Sequence, residues 1–210
     1  MPRWNSPLGW FPYPMDHARM MIIECTASRR ELARICPLAC RPERHNRVRV
    51  FFAENSQPPN SLRFSEIGVI QEVRYGRERV QTMPCIWVSD DIAMIGGREL
   101  FGMPKLLMDD FPPAIHANQV FGRLARKGVT MMEGSMRVER IAATDELPFA
   151  DISSVYERCI PDPDPAQPAR RELIRLTVQN RRSLGPVWIG SGHLEVHHPL
   201  GSGLDRLGLA

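Results

Sequence analysis

"LRFSEIGVIQEVRYGRERVQTMPCIWV", residues 62 to 88, carries the clearest structural signal in the chain. It contains two runs rich in β-branched and apolar residues, separated by Tyr75-Gly76-Arg77. Such runs favour strands, and a glycine between them favours a tight turn. The stretch therefore predicts a β-hairpin that turns at these three residues.

Strand patterns continue on both sides of this hairpin. Single strands are predicted over residues 18–26, 47–53, 172–180 and 190–198, and a second hairpin over residues 119–141 turns at Lys127-Gly128. Only two helices are predicted. Many strands joined by short turns indicate an α+β fold with a dominant antiparallel sheet that is curled or closed.

The two predicted helices each follow a serine. Ser28 and Glu31 have the spacing of a capping box, in which the serine caps the helix and the glutamate bonds back to the Ser28 amide. Ser89 is the expected cap of the second helix, and Pro104 disfavours helical geometry at Met103. The second helix should therefore end near Met103 and deliver Lys105 on an extended segment or a turn.

Composition limits the class of protein. The chain has 210 residues, 43% of them hydrophobic, which suits a single domain over residues 1–210. The net charge is only +3, and the arginines are scattered, so no nucleic-acid binding is expected. The five cysteines lack zinc-site spacing, and there is no run of about 18 apolar residues. We expect a cytoplasmic protein with reduced cysteines and no membrane contact.

Lysine is rare in this chain. Lys105 and Lys127 are the only two, against twenty-five arginines, so a surface cation at position 105 would be expected to be arginine. Lysine differs from arginine because burial can remove its proton, and only the neutral amine attacks a carbonyl. The apolar neighbours Phe101, Met103 and Leu106 disfavour the ammonium form by desolvation. Lys105 is therefore a candidate for Schiff-base chemistry, although a surface lysine whose stem covers apolar groups has the same local sequence.

The segment "GGRELFGMPKLL", residues 96 to 107, resembles the G-R-E-x-x-x-x-P-K-K signature of the acetoacetate decarboxylase family. The resemblance extends over about residues 12 to 200. The stretches that carry it are "HARMMIIEC", "VRVFF", "FSEIGVIQEVRYG", "WVSDDIAMIGGREL", "IPDPDP" and "GPVWIGSGHLEVHHPL". It implies the mainly antiparallel, cone-like barrel of that family, with few short helices, and a homo-oligomer.

The resemblance also implies roles for three residues. Lys105 matches the family's Schiff-base lysine, whose activation in acetoacetate decarboxylase is an established example of this chemistry. Glu66 matches an active-site glutamate that orients the substrate or moves a proton. Arg19 matches an arginine that pairs with a substrate carboxylate or with Glu66. A plain ion pair at a sheet edge is the alternative for Arg19 and Glu66.

Two positions depart from the family pattern. Leu106 stands where the family has its second lysine, and Phe51 where it has another glutamate. Phe51 and Leu106, with Met103 and Phe101 beside Lys105, are the predicted substrate-binding residues. The Phe51 replacement removes a carboxylate and favours a larger or more apolar substrate.

We therefore expect a Schiff-base-forming lyase that acts on a keto acid or related carbonyl compound, by decarboxylase-like or aldolase-dehydratase chemistry. Such an enzyme needs no metal or organic cofactor, because the lysine supplies the electron sink. Leu106 and Phe51 also fit an alternative, a catalytically silent relative that binds a hydrophobic ligand or serves as an assembly subunit.

Two further groups of polar residues were considered as sites. His193, Glu195 and His197 alternate along a predicted strand and share a face, as metal ligands would. A solvated strand face carries the same pattern, so no metal is expected. Asp109 and Asp110 follow Lys105 closely and are predicted to form a turn at a strand end rather than a catalytic pair.

Overall fold

The computed structural model describes residues 17–57, 62–143, 152–177, 185–197 and 209. Residues 178–180 of one predicted strand and residue 198 of another lie outside the described residues, as do residues 1–16. In chain order the elements are β1 (His17–Thr26), α1 (Arg29–Ile35), β2 (Arg41–Pro42), β3 (Arg47–Gln57), β4 (Leu62–Tyr75), β5 (Glu78–Val88), α2 (Asp91–Phe101), β6 (Lys105–Leu107), β7 (Ala114–His116), β8 (Gln119–Arg126), β9 (Val129–Ile141), β10 (Ser154–Ile160), β11 (Arg170–Leu176) and β12 (Trp188–Val196).

The strands form two sheets. The larger has the order β1-β3-β4-β5-β10-β11, with β2 beside β4 and β6 beside β5, and the smaller has the order β12-β9-β8-β7. Neighbours are antiparallel except β6 and β10, which both run parallel to β5. The predicted α+β fold with a dominant antiparallel sheet and two short helices is confirmed. Within the described residues the two sheets share no ladder, so the closed form of the predicted barrel is not found.

Both predicted hairpins are confirmed, and their turn residues explain them. Tyr75 pairs with Glu78, which leaves a two-residue turn in which Gly76 has a φ of 60°. In the second hairpin Lys127 and Gly128 have φ angles of 53° and 76°. Two successive left-handed residues match the right-handed twist of the strands they join.

The helix starts differ from the predicted capping. Ser28 precedes α1, but its side chain makes no capping bond, and Glu31 pairs instead with Arg34 at 2.6 Å. The cap of α2 is Asp90, whose carboxylate accepts the Ala93 amide at 2.7 Å. The prediction of Ser89 as this cap was wrong because Ser89, the residue after β5, is bonded to β4 instead: its hydroxyl accepts the Ser65 amide and its amide donates to the Ser65 carbonyl.

The main core lies between the two sheets. Alternate residues of β3 and β4, including Phe52 and Ile67, pack in one cluster with Leu124 and Met132 of the smaller sheet. The opposite face of β3, β4 and β5 carries a smaller cluster, made of Phe51, Ala53, Ile70 and Ile86. Successive strand residues point to opposite faces, so one stretch of β3 supplies both clusters. We call the side that carries Phe51 and Ile86 the outer face of the larger sheet.

The end of α2 is fixed by a left-handed glycine. Gly102 has a φ of 71°, and the amide of Met103 bonds back to the Gly97 carbonyl at 2.9 Å. Arg158 of β10 donates to the exposed Glu99 carbonyl at 2.8 Å. A β-carbon on residue 102 would lie 2.8 Å from the Arg158 backbone, so the helix end and β10 are in direct contact. No helix in the described residues is long and apolar enough to cross a membrane.

Replacement of Gly102 by alanine is expected to destabilise the protein more than the same change at Gly128. Both positions have positive φ, which costs an L-residue about 1 to 2 kcal/mol. A β-carbon at Gly128 meets nothing within 4 Å, whereas one at Gly102 collides with Arg158. The collision should add about 1 to 3 kcal/mol, measured as the difference in free energy of unfolding by urea denaturation. Equal losses for the two variants would contradict the contact between α2 and β10.

Candidate active site

The short strand β6 places Lys105 beside β5, where it pairs with Ile86. Lys105 is only 7% exposed and is the one charged residue classed as buried in the described part of the chain. A buried charge is costly unless a partner compensates it. The structure therefore raises the question of which group stabilises this amine.

Glu66 of β4 is that partner. One carboxylate oxygen of Glu66 lies 2.6 Å from Lys105 Nζ, and the other accepts a hydrogen bond from the Asn55 side chain at 3.2 Å. Asn55 is itself buried, at 5% exposure. Both carboxylate oxygens are thus engaged, so Glu66 is held with one oxygen directed at the lysine amine.

The helix α2 holds Lys105 from the other side. A β-carbon on Gly97 would lie 2.5 Å from Lys105 Cδ and 2.7 Å from Cε, so the lysine stem passes directly over this glycine. Arg98, the next residue, donates to the Lys105 backbone carbonyl at 3.0 Å. The glycine and the arginine of the "GRE" segment therefore set the course of the side chain and the position of the backbone.

The surroundings of Lys105 on the outer face are apolar. Phe51, Gly68 and Ile86 pair across β3, β4 and β5 in one row that leads to Lys105. The Phe51 ring fills the space above Gly68, where a β-carbon would lie 2.7 Å from its Cε1. Met103 packs against the same cluster. Phe51 thus forms one wall of the apolar row. It stands where the family has a glutamate, and its ring fills the space above Gly68.

Leu106 points away from this group. It follows Lys105 on an extended strand and packs against the main core cluster between the sheets, together with residues such as Trp87. Adjacent strand residues face opposite sides, so Leu106 does not share a face with the lysine amine. Phe101, the other predicted neighbour, is the half-buried last residue of α2.

Arg19 is not brought to Lys105. Its guanidinium pairs with Glu54 at 2.6 Å, and Glu54 also faces Arg63 at 3.9 Å. In the pairing of β1 with β3, Arg19 lies opposite Glu54 and Met20 lies opposite Ala53. Ala53 in turn pairs with Glu66, so the residue of β1 that shares a row with Glu66 is Met20. Arg19 and Glu66 therefore occupy opposite faces of the sheet, and Arg19 forms the plain ion pair that was its alternative.

Asn55 and Gly97 were not predicted as site residues. Asn55 has a weak sequence signal, since it is a polar residue that follows Phe51 and Ala53 on the outer side of β3. Gly97 lies inside the quoted motif, but its contact with Lys105 depends on how α2 folds back on β6. Sequence spacing alone does not show that contact.

The polar residues of β12 form an ion-pair group with β9. The ligand-type atoms of Glu133, Glu195 and His197 lie within 4.8 Å of one another, while His193 is not part of the group. Glu133 also pairs with Arg123 at 3.1 Å. The Arg123 guanidinium offsets part of the negative charge of this group.

Asp109 and Asp110 both serve the local structure. Asp109 accepts the amides of Lys127 and Gly128 at 3.0 and 2.8 Å, so it closes the turn of the second hairpin. Asp110 accepts the Ser65 hydroxyl at 2.5 Å. The two carboxylates thus have separate partners, and both fix the segment that follows β6.

The more buried cysteines are weak nucleophiles at neutral pH. Burial raises the pKa of the Cys25 and Cys85 thiols to about 11 and that of Cys36 to about 12. No cysteine in the described residues is bonded to another. Lys105 therefore remains the nucleophile candidate, with the half-buried Glu66 carboxylate as its partner.

Comparison with solved structures shows a shared fold. Acetoacetate decarboxylase from Legionella pneumophila superposes with a TM-score of 0.87 at 21% identity, over 99% of this chain and 82% of that chain. An acetoacetate decarboxylase-like enzyme from Sphingomonas wittichii gives 0.80 at 17% identity, over 90% and 81%. The enduracididine biosynthesis enzyme MppR, complexed with the condensation product of pyruvate and imidazole 4-carboxaldehyde, gives 0.77 at 19% identity, over 100% and 92%.

A search of curated protein sequences found no match. The model of one protein family, described as acetoacetate decarboxylase, matches residues 1–210. This match covers the whole chain, and the resemblance carried by the segment around Lys105 is thereby confirmed. The chain belongs to the acetoacetate decarboxylase family.

Proposed function

We propose that this protein is a Schiff-base-forming lyase that acts on a keto acid or related carbonyl compound through Lys105. The observation that carries the proposal is the buried Lys105 amine, which lies 2.6 Å from the Glu66 carboxylate beside an apolar row. Membership of the family supports an enzyme with lysine-dependent decarboxylase or aldolase-type chemistry.

The first step forms a carbon–nitrogen bond. Glu66 takes a proton from Lys105 Nζ, and the free amine attacks the keto carbon while the carbonyl π bond breaks. A proton moves from the nitrogen to the former keto oxygen. The proton held on Glu66 then leaves with that hydroxyl as water, and a protonated iminium remains on Lys105. One ammonium and one ketone have become one iminium and one water, and Glu66 is again a carboxylate.

The iminium then accepts electrons from a neighbouring bond. In a β-keto acid, breakage of the bond to the carboxylate releases carbon dioxide and leaves an enamine on the lysine. In a substrate such as pyruvate, transfer of a methyl proton from the iminium to the Glu66 carboxylate gives the corresponding enamine, which can attack an aldehyde. Both branches use the same nitrogen, and the apolar row of Phe51 and Ile86 favours the neutral enamine over the charged iminium.

Borohydride trapping is the direct test of this proposal. We expect incubation with acetoacetate or pyruvate followed by borohydride to leave a reduced adduct on Lys105, located by peptide mass mapping. Lys127 lies in an exposed turn and should stay unmodified, which makes it an internal control. Replacement of Lys105 by arginine keeps the cation but cannot form the iminium, so it should abolish the adduct.

The same experiment separates the enzyme from a silent relative. If acetoacetate, pyruvate and longer β-keto acids all leave Lys105 unmodified in correctly folded protein, the lyase proposal fails. A hydrophobic ligand-binding role would then be the better account of the apolar row.

Replacement of Glu66 by glutamine should slow imine formation on the order of 100-fold, because the amide cannot take a proton from the amine. The measurement is the rate at which trapped adduct accumulates. Glu54→Gln is a matched control: both glutamate side chains are 17% exposed and both are paired with a cation, but Glu54 lies on the other face with Arg19. A similar loss in both variants would contradict a specific role for Glu66.

Replacement of Gly97 by alanine should also lower adduct formation, by at least about tenfold, since a misplaced reacting group loses rate steeply. The added methyl would occupy the path of the Lys105 stem. Gly185→Ala is the control, because a β-carbon there meets nothing within 4 Å. Unchanged adduct formation in the Gly97 variant would show that Lys105 can react without its side chain passing over residue 97.

A further inference from the structure

Tyr156 of β10 has a buried hydroxyl whose hydrogen-bonding capacity is not filled. The residue is 2% exposed, and within the described residues no group meets its oxygen at full hydrogen-bond geometry; the Ser154 hydroxyl is its polar neighbour. Buried polar groups are nearly always paired, because an unpaired one loses its bonds to water without replacement. A tyrosine hydroxyl in this state is available to a molecule that enters its surroundings.

The strand pairing places Tyr156 on the same face as Glu66. Its neighbour Val155 packs with Val73 and Val80 on the inner face, so Tyr156 points to the outer face. Ser154, two residues before it, accepts a hydrogen bond from Gln81 of β5 at 3.0 Å. The strand β10 thus runs along the same edge of β5 as β6, which carries Lys105.

The electrostatics agree with this placement. Burial raises the pKa of the Tyr156 hydroxyl, the Ser154 hydroxyl opposes the shift, and the charge of Glu66 adds to it. The Glu66 carboxylate is therefore near enough to act on the tyrosine. The phenol keeps its proton throughout the neutral range, so it acts as a hydrogen-bond donor and not as a base.

We propose that Tyr156 donates a hydrogen bond to the keto oxygen of the substrate while the Lys105 amine adds to the keto carbon. This inference rests on the proposed Schiff-base function. The carbonyl oxygen gains negative charge as the carbon–nitrogen bond forms, and a fixed donor in a water-poor site stabilises that charge. The proton itself comes from the amine and returns through Glu66, so Tyr156 is unchanged at the end of the step.

The test compares two reactions of Lys105 in the Tyr156→Phe variant. This change keeps the ring and removes only the hydroxyl. We expect the rate of pyruvate trapping by borohydride to fall by roughly 10- to 100-fold. Alkylation of Lys105 by acrylonitrile should stay within about twofold of wild type, because addition of an amine to a nitrile-activated alkene forms no alkoxide. Thermal stability should be equal or higher, since an unpaired buried group is removed.

Tyr75→Phe is the matched control, because it makes the same chemical change at an exposed turn position and should alter neither reaction. The proposal is overturned if Tyr156→Phe traps pyruvate at the wild-type rate. It is also overturned if both reactions slow equally, since the tyrosine would then act on the position of the amine. Failure of the wild-type protein to trap any keto acid would refute the Schiff-base function itself and this role with it, which distinguishes the two failures.

Discussion

The burial of one amine against one carboxylate is the constraint that organises this molecule. Removal of a lysine and a glutamate from water is costly, and the mutual attraction of the two groups offsets this only when further hydrogen bonds complete the site. Here Asn55 occupies the second oxygen of Glu66, and the Lys105 stem rests on Gly97. The buried pair therefore depends on both of these supporting contacts.

The two faces of β3 and β4 have different surroundings: one packs against the smaller sheet, and the other carries the side chains around Lys105. Inward residues such as Phe52 and Ile67 join the sheets, and the Phe52 ring sits so close to Gly122 and Gly134 that a side chain at either glycine would collide with it. Outward residues surround Lys105. Because the two sets alternate along the same strands, the packing that holds the sheets together also fixes the register of the reactive face.

Much of the fold follows from local chemistry that is visible in the sequence. The Gly76 and Lys127-Gly128 turns mark both hairpins, and the rarity of lysine singles out Lys105. Which residues share a face with Lys105 depends instead on the pairing of the strands. Arg19 matched a family position by spacing, yet its ladder partner is Glu54, and a shift of one residue along a strand reverses the face. Asn55 was missed for the related reason that cross-strand partners have no fixed sequence spacing.

Leu106 shows how strand geometry changes the meaning of a substitution. From the sequence, a leucine in place of a second lysine bears directly on the reactivity of Lys105. In the structure its side chain enters the core between the sheets, where a hydrophobic residue is the better fit. The departure from the family pattern therefore concerns packing on the inner face, and the outer face keeps its amine and carboxylate.

Glu66 and Lys105 lie in two parts of the chain that are held in the sheet to different extents. Glu66 lies in the central hairpin, which is bonded on both sides, whereas Lys105 lies on a strand of three residues that follows an eleven-residue helix. Small peripheral units open more readily than the centre of a sheet. Local opening of α2 and β6 would therefore separate Lys105 from Glu66 while the sheets stay intact. Contacts that hold the end of α2 to β10, such as the bond from Arg158 to the Glu99 carbonyl, stabilise the position of Lys105 from a distance.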